Sequence, residues 1–135
     1  MKHNIKIDEY GTKHYYVNDV LHREDGPAVE YSNGSKCWYK NGMPDREDGP
    51  AIEYIDGTKH WYKNGLPDRK DGPAKEYSSG DKFWYKNGLF HREDGPAIIY
   101  KNGTTCWYLN GKWYGDDNEF TNKSWKSFIK TLIFL

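Results

Sequence analysis

The chain is short of cysteine, carries no net charge and has no long apolar run, and each shortage removes a class of protein. Two cysteines in 135 residues are too few for a disulfide framework. Twenty basic and 20 acidic residues cancel. The chain therefore lacks the basic excess that replaces phosphate counterions, and general nucleic-acid binding is not expected. No stretch approaches the roughly 20 apolar residues that cross a bilayer, and the opening MKHNIKIDEYG lacks the apolar core of a secretion signal. A soluble, cytoplasmic protein without membrane insertion is the expectation.

Aromatic residues are abundant instead. Mean hydropathy is −1.08, yet 17% of residues are aromatic, with 12 Tyr and 6 Trp. Disordered chains are poor in aromatics, so this one is expected to fold, and its length suits one domain.

The sequence repeats. Asp-Gly-Pro begins at Asp25, Asp48, Asp71 and Asp94, Trp-Tyr at Trp38, Trp61, Trp84 and Trp107, and Asn-Gly at Asn41, Asn64, Asn87 and Asn110, always in steps of 23. A half repeat precedes them, because GTKHYYVND at 11–19 aligns with GSKCWYKNG at 34–42. An insertion-free period of this length marks a repeat architecture. Within a unit, PAVEY is a short β-rich run opened by proline, SNGS is a glycine turn, KCWYK is a returning strand and NGMPDREDG crosses to the next unit. The prediction is an all-β repeat: an elongated, twisted antiparallel meander of 23-residue β-hairpin units with a C-terminal capping α-helix. The array covers 1–120, with units near 4–26, 27–49, 50–72, 73–95 and 96–118, and the cap covers 121–135.

With Asn33 and Gly34 as a two-residue turn, Val29 faces Trp38 and Ala28 faces Tyr39. One sheet face then carries Trp38, Trp61, Trp84 and Trp107 beside Val29 and Tyr31, and the other carries Tyr39, Tyr62, Tyr85 and Tyr108 beside Cys37. Lys75 replaces the aliphatic residue of the other units opposite Trp84, where a cation–π contact would leave the Trp face unsealed. Cys37 and Cys106 fall six strands apart, on the order of 29 Å, too far for a disulfide, and are expected to be free thiols.

After NGKWYGDD the period changes. Trp125, Phe128, Ile129, Leu132 and Ile133 form an amphipathic helical stripe, with Thr121 as N-cap and Phe120 with Trp125 as a hydrophobic staple. This helix is expected to lie over the last strand. HNIKIDEY at the other end alternates like an uncovered strand, which makes it the candidate homodimer edge.

At this point the residues carry a resemblance. GTKHWYKNGLPDRKDGPAKEYSSG resembles MORN-type repeats, whose period is the same, over roughly residues 4–114. The chain departs from them in carrying REDGPA and in doubling Trp with Tyr, and is more similar to the HREDGPA variant of bacteriophages and large DNA viruses. The resemblance implies a hairpin array for protein association and dimerisation, with no catalytic residues. Its phage form implies a protein that binds and inhibits a host antiviral-defence factor, acting in the host cytoplasm. Lipid contact, which MORN repeats sometimes make, is not favoured in a neutral chain.

No metal spacing groups His22 and His91, which lie three repeats apart. No nucleophile is partnered with a base, so neither an enzyme nor a cofactor is expected. Arg23, Arg46, Arg69 and Arg92 each precede acidic residues. They read either as a structural ladder pairing with a neighbouring unit's carboxylates or as an array that meets a phosphate or an acidic partner. The candidate partner-binding residues are these arginines, the four column tryptophans, Lys75, Tyr39, Tyr62 and Tyr85. A protein-interaction module is the leading reading. A carbohydrate- or choline-binding aromatic repeat, suggested by TTCWYLNGKWYG, and a purely structural role are the alternatives.

Overall fold

In the computed structural model, which describes residues 2–133, the chain divides into two compact units between Pro67 and Asp68. The first contains β1 (Asn4–Ile7), β2 (Lys13–Val17), β3 (Val20–Leu21), β4 (Val29–Glu30), β5 (Lys36–Cys37), β6 (Tyr39–Lys40), β7 (Met43–Pro44), β8 (Ile52–Glu53), β9 (Lys59–His60), β10 (Tyr62–Lys63) and β11 (Leu66–Pro67). Its main sheet runs β1-β2-β4-β5-β8-β9, while β3 pairs with β2, and β6-β7 and β10-β11 form separate hairpins. The second contains β12 (Lys75–Glu76), β13 (Lys82–Phe83), β14 (Tyr85–Lys86), β15 (Leu89–Phe90), β16 (Ile98–Ile99), β17 (Thr105–Leu109), β18 (Lys112–Asp116) and helix α1 (Asn122–Ile133). Here the order is β12-β13-β16-β17-β18, with β14-β15 separate. The pairing is antiparallel, so the chain is an all-β hairpin repeat closed by a C-terminal helix, as its period predicts.

Each repeat makes two hairpins where the sequence pattern suggests one, because its two glycine turns differ. Asn41 and Gly42 both have positive φ, 53° and 78°, the two-residue type I′ turn that Asn-Gly favours, and they close β6 on β7. At Asn33-Gly34 only the glycine is positive, at 97°. The Asn33 Oδ1 accepts the Ser35 N–H at 2.8 Å, and the Tyr31 N–H donates to the Ser35 carbonyl at 2.9 Å. The loop is therefore three residues long, Ser32 to Gly34.

That extra residue corrects the register expected above. Val29 pairs with Cys37 and Glu30 with Lys36, so Val29 does not face Trp38. A one-residue slip exchanges sheet faces. Val29, Tyr31 and Cys37 now share one face, while Trp38 lies on the other, flanked by Ala28 and Ala51 and donating its N–H to the Ala51 carbonyl at 2.7 Å. Ala28, Ala51, Ala74 and Ala97 are wholly buried, and the small methyl at this position leaves room for an indole to lie across it. Lys75 likewise pairs with Phe83, and its ammonium stands 5.3 Å from the Tyr85 ring.

The C-terminal cap forms as the sequence predicts. The Ser124 N–H donates to Thr121 Oγ1 at 3.0 Å, the Thr121 N–H donates to Ser124 Oγ at 2.8 Å, and the Phe120 and Trp125 rings meet at 4.8 Å. The helix packs on the side chains of the last two strands, with Trp125 at 5.3 Å from Trp107 and 5.7 Å from Tyr114. The Ile133 side chain and residues 134–135, which the cap was expected to include, lie outside the described residues.

Candidate functional site

The arginine column is built into the loop that carries it. Arg46 lies with its guanidinium carbon 3.8 Å from the Trp38 ring centre. Its Nε donates to Asp48 at 3.0 Å, and its Nη1 donates to the Pro50 carbonyl at 3.0 Å and to Glu53 at 3.1 Å. Arg23 repeats this over Tyr15 at 4.0 Å, with Asp25, the Pro27 carbonyl and Glu30. Arg69 reaches the Pro73 carbonyl and Glu76, and Arg92 stacks on Trp84 at 3.9 Å and reaches Asp94 and the Pro96 carbonyl. A Cβ on Gly49 would stand 3.0 Å from the Arg46 guanidinium carbon, so the glycine of Asp-Gly-Pro makes room for the flat cation. The copied REDGP string thus encodes one object: a guanidinium held between an aromatic ring and a glycine backbone and tied off by carboxylates.

The residue before Arg23, Arg46 and Arg92 is an acceptor. His22 Nδ1 takes the Asn41 N–H at 2.9 Å, Asp45 Oδ2 takes the Asn64 N–H at 3.0 Å, and His91 Nδ1 takes the Asn110 N–H at 2.9 Å. Histidine and aspartate both occur there because each offers a short acceptor to the next type I′ turn. Among the described residues no group of three or more His, Cys, Asp or Glu side chains could hold a metal ion.

The opposite face is aromatic and open. In the first unit Tyr31 and Tyr54 are exposed, and Tyr39 and Tyr62 are half-buried. Burial pushes the Cys37 thiol up to about 11, so it is an unreactive neighbour of Tyr31 and not a nucleophile. In the second unit Tyr77, Phe83 and Tyr100 form one row, with centroids 5.3 and 5.8 Å apart. Tyr85, Phe90 and Tyr108 form another, at 4.5 and 5.1 Å, and Phe83 meets Phe90 at 6.0 Å. All six rings are half-buried.

The structure therefore separates the candidate residues that the sequence grouped. Trp38 and Trp84 lie beneath Arg46 and Arg92, Trp61 is half-buried, and Trp107 is buried under α1. Tyr39, Tyr62, Tyr85 and Lys75 are half-buried, and Tyr85 and Lys75 belong to the open face. A further exposed row went unnoticed in the sequence: Val20, Met43, Leu66 and Leu89 each follow a type I′ turn. Their shared spacing of 23 was the available signal. They are partly supported from below, since a Cβ on Gly42 would meet Val20 Cγ1 at 3.1 Å.

Among the described residues no helix is long and apolar enough to cross a membrane. No protein-family model matches the sequence, and no curated protein does either.

Proposed function

We propose that the chain is a non-enzymatic protein-interaction module that docks its partner on the aromatic face. The observation carrying this reading is the asymmetry of the two faces. In each unit one face has arginine and tryptophan engaged with each other, whereas the other exposes Tyr31 and Tyr54 in the first unit and, in the second, leaves Tyr77, Phe83, Tyr85, Phe90, Tyr100 and Tyr108 half-buried in contiguous rows. Amphipathic rings of this kind, apolar in body and polar at the hydroxyl, are the side chains that dominate interface energetics. Following the resemblance to the phage HREDGPA variant, the partner is a host protein of antiviral defence, and binding inhibits it.

The test is retention of a specific protein from bacterial lysate by immobilised wild type, compared with Tyr54→Glu, Tyr100→Glu and Arg46→Ala variants shown to be folded. A partner kept by wild type and Arg46→Ala but lost by the tyrosine variants supports the reading. Loss with Arg46→Ala alone would move the interface to the arginine side, and retention of no specific protein would defeat the proposal.

One observation favours self-association as well. The Tyr15 N–H is directed to the Ala28 carbonyl and the Tyr15 carbonyl accepts from His22, so Ile5, its partner in β1, turns its backbone groups away from β2. Ile5 and Ile7 are exposed. Such an edge accepts a strand of a second copy. Ile5→Pro is expected to convert a dimer into a monomer in light scattering, and an unchanged mass would rule out this edge.

A further inference from the structure

We propose that two copies of the chain pair through β1, antiparallel and with Ile5 opposite Ile5, so that the main sheet of the first unit continues into the same sheet of a second copy. This rests on the self-association reading above and deepens it, because it fixes the orientation and register of the partner strand.

β1 stands at the end of the sheet order beside β2, and all four of its residues are exposed. Native sheet edges are commonly blunted by a lysine, a proline or a bulge. Residues 2–7 contain no proline, and β1 pairs with β2 without a register shift. The lysine inside the strand is turned back, with the Lys6 ammonium 5.2 Å from the centre of the Tyr16 ring in β2. The Tyr15 backbone groups engage Ala28 and His22, on the side away from Ile5, and the Asp8 N–H donates to the Thr12 carbonyl at 3.0 Å. Backbone groups alternate in direction along a strand, so Ile5 and Ile7 present theirs to the open edge while Lys6 and Asp8 direct theirs to β2. His3, whose ring meets Tyr15 at 6.0 Å, continues the outward set.

The charges of the strand select among the antiparallel registers that bring outward residues together. With Asn4 opposite Asn4, Lys2 faces Lys6, and with Ile5 opposite Ile7, Lys6 faces Lys6. Like charges directly opposite each other are destabilising. With Ile7 opposite Ile7, Ile5 needs Glu9 as its partner, and Glu9 lies in the turn that follows β1. A parallel pairing in register sets Lys2 beside Lys2 and Lys6 beside Lys6.

With Ile5 opposite Ile5, each Lys2 faces Asp8 of the second copy, Asn4 faces Lys6, and the outward residues exchange ladder bonds as Ile5 with Ile5 and His3 with Ile7. Asp8 is suited to this contact. Its Oδ1 accepts the Tyr10 and Thr12 N–H groups at 2.9 and 3.0 Å, whereas its Oδ2 takes no hydrogen bond among the described residues. The pairing also covers Ile5 and Ile7, which are 52% and 63% exposed. Its two-fold axis runs through the sheet, so both copies turn the face that bears Tyr31 and Tyr54 to the same side. A partner docking there would meet two equivalent faces.

The experiment uses the full-length protein, in sedimentation equilibrium and in disulfide trapping with oxidised glutathione, with wild type as the control for Cys37 and Cys106. Wild type is expected to show a reversible monomer–dimer equilibrium. Asn4→Cys crosslinks to itself only where Asn4 faces Asn4, and Lys6→Cys only where Lys6 faces Lys6, because a disulfide needs Cα atoms within about 7 Å. A crosslinked dimer should therefore form from a mixture of the two variants, shown to be folded, and from neither alone. Lys2→Glu should raise the dissociation constant about fivefold, as the loss of two exposed ion pairs does, and Lys2→Arg should leave it unchanged. A monomer at millimolar wild-type chain would overturn both this pairing and self-association through the edge, and growth beyond a dimer would overturn the two-fold pairing. A dimer abolished by Ile5→Pro but trapped by Asn4→Cys alone or by Lys6→Cys alone would overturn this register while leaving β1 as the edge through which copies associate.

Discussion

Within the array a guanidinium lies over Tyr15, Trp38 and Trp84, and at the C-terminal end an indole covers Trp107. Arg46 covers Trp38 and draws on Asp48 and Glu53 to hold it there. Twenty-three residues after Arg92 the corresponding position is Gly115, and no Asp-Gly-Pro loop follows. Trp107, the last of the column, is covered instead by Trp125, which is completely buried among Phe120, Tyr114 and Phe128. Arg92 marks the changeover. It keeps its stack and Asp94, has Ile99 where Glu30, Glu53 and Glu76 serve the other arginines, and offers its backbone carbonyl to the Trp125 indole N–H at 2.9 Å. The difference teaches that the arginine lid is a property of a repeat with a successor. Its carboxylates come from the loop and strand that follow, so the final repeat needs a closure that requires no further strand, and an apolar helix face supplies it.

Removing the terminal closure should have the largest effect. Trp125→Ala leaves a cavity beneath α1 and deletes the bond to Arg92, and truncation of a buried tryptophan costs about 3–5 kcal/mol. Urea unfolding should show that loss together with a fall in helical circular dichroism. A loss below about 1 kcal/mol would mean that the end needs no closure different from the interior.

An interior lid should matter less, because it is half-solvated. Arg46→Ala removes a ring stack and charge-assisted hydrogen bonds at a position that keeps water nearby, for an expected loss of about 2 kcal/mol. Arg46→Lys is the sharper variant. It keeps the charge but not the planar fork, so most of the loss should remain, and full recovery would show that the stack adds nothing beyond its charge.

Which of these features can be read from sequence follows from how local their causes are. The period, the strand-forming runs, the Thr121 cap and the Phe120–Trp125 staple depend on neighbours within a few residues, and the structure places them as the pattern suggests. The pairing of Arg23 with Glu30 was legible as a carboxylate belonging to the next unit. The faces were not legible, because Asn33-Gly34 and Asn41-Gly42 are the same dipeptide in two different turns. The φ of the asparagine, the Asn33 bond to Ser35 and the pairing of Val29 with Cys37 distinguish them, and all three are features of the folded chain. One residue of slip moved the tryptophans to the arginine side, which hid the stack and transferred Lys75 from an indole to Tyr85. The open aromatic face is a consequence of that register, so it too was hidden.

The smallest effect should come from the acceptor that precedes Arg46 or Arg92, and it compares one repeat with another. Asp45 and His91 do the same work for Asn64 and Asn110, but only the imidazole loses its acceptor on protonation near neutral pH. Burial holds His91 below its ordinary value, against the nearby Glu93 carboxylate that raises it and alongside Lys86, which lowers it further. The folded state therefore keeps the ring neutral while the unfolded chain takes a proton near pH 6.5. Stability from this site is present above about pH 6.5 and is lost as the pH falls through the lower folded value. His91→Asp installs the side chain that the middle repeats use, whose carboxylate remains an acceptor down to about pH 4. Melting temperatures at about pH 7.5 and 5.0 should then fall less in the variant than in wild type. Equal falls would show that the Asn110 turn does not depend on the His91 acceptor, and that histidine and aspartate share this position for another reason.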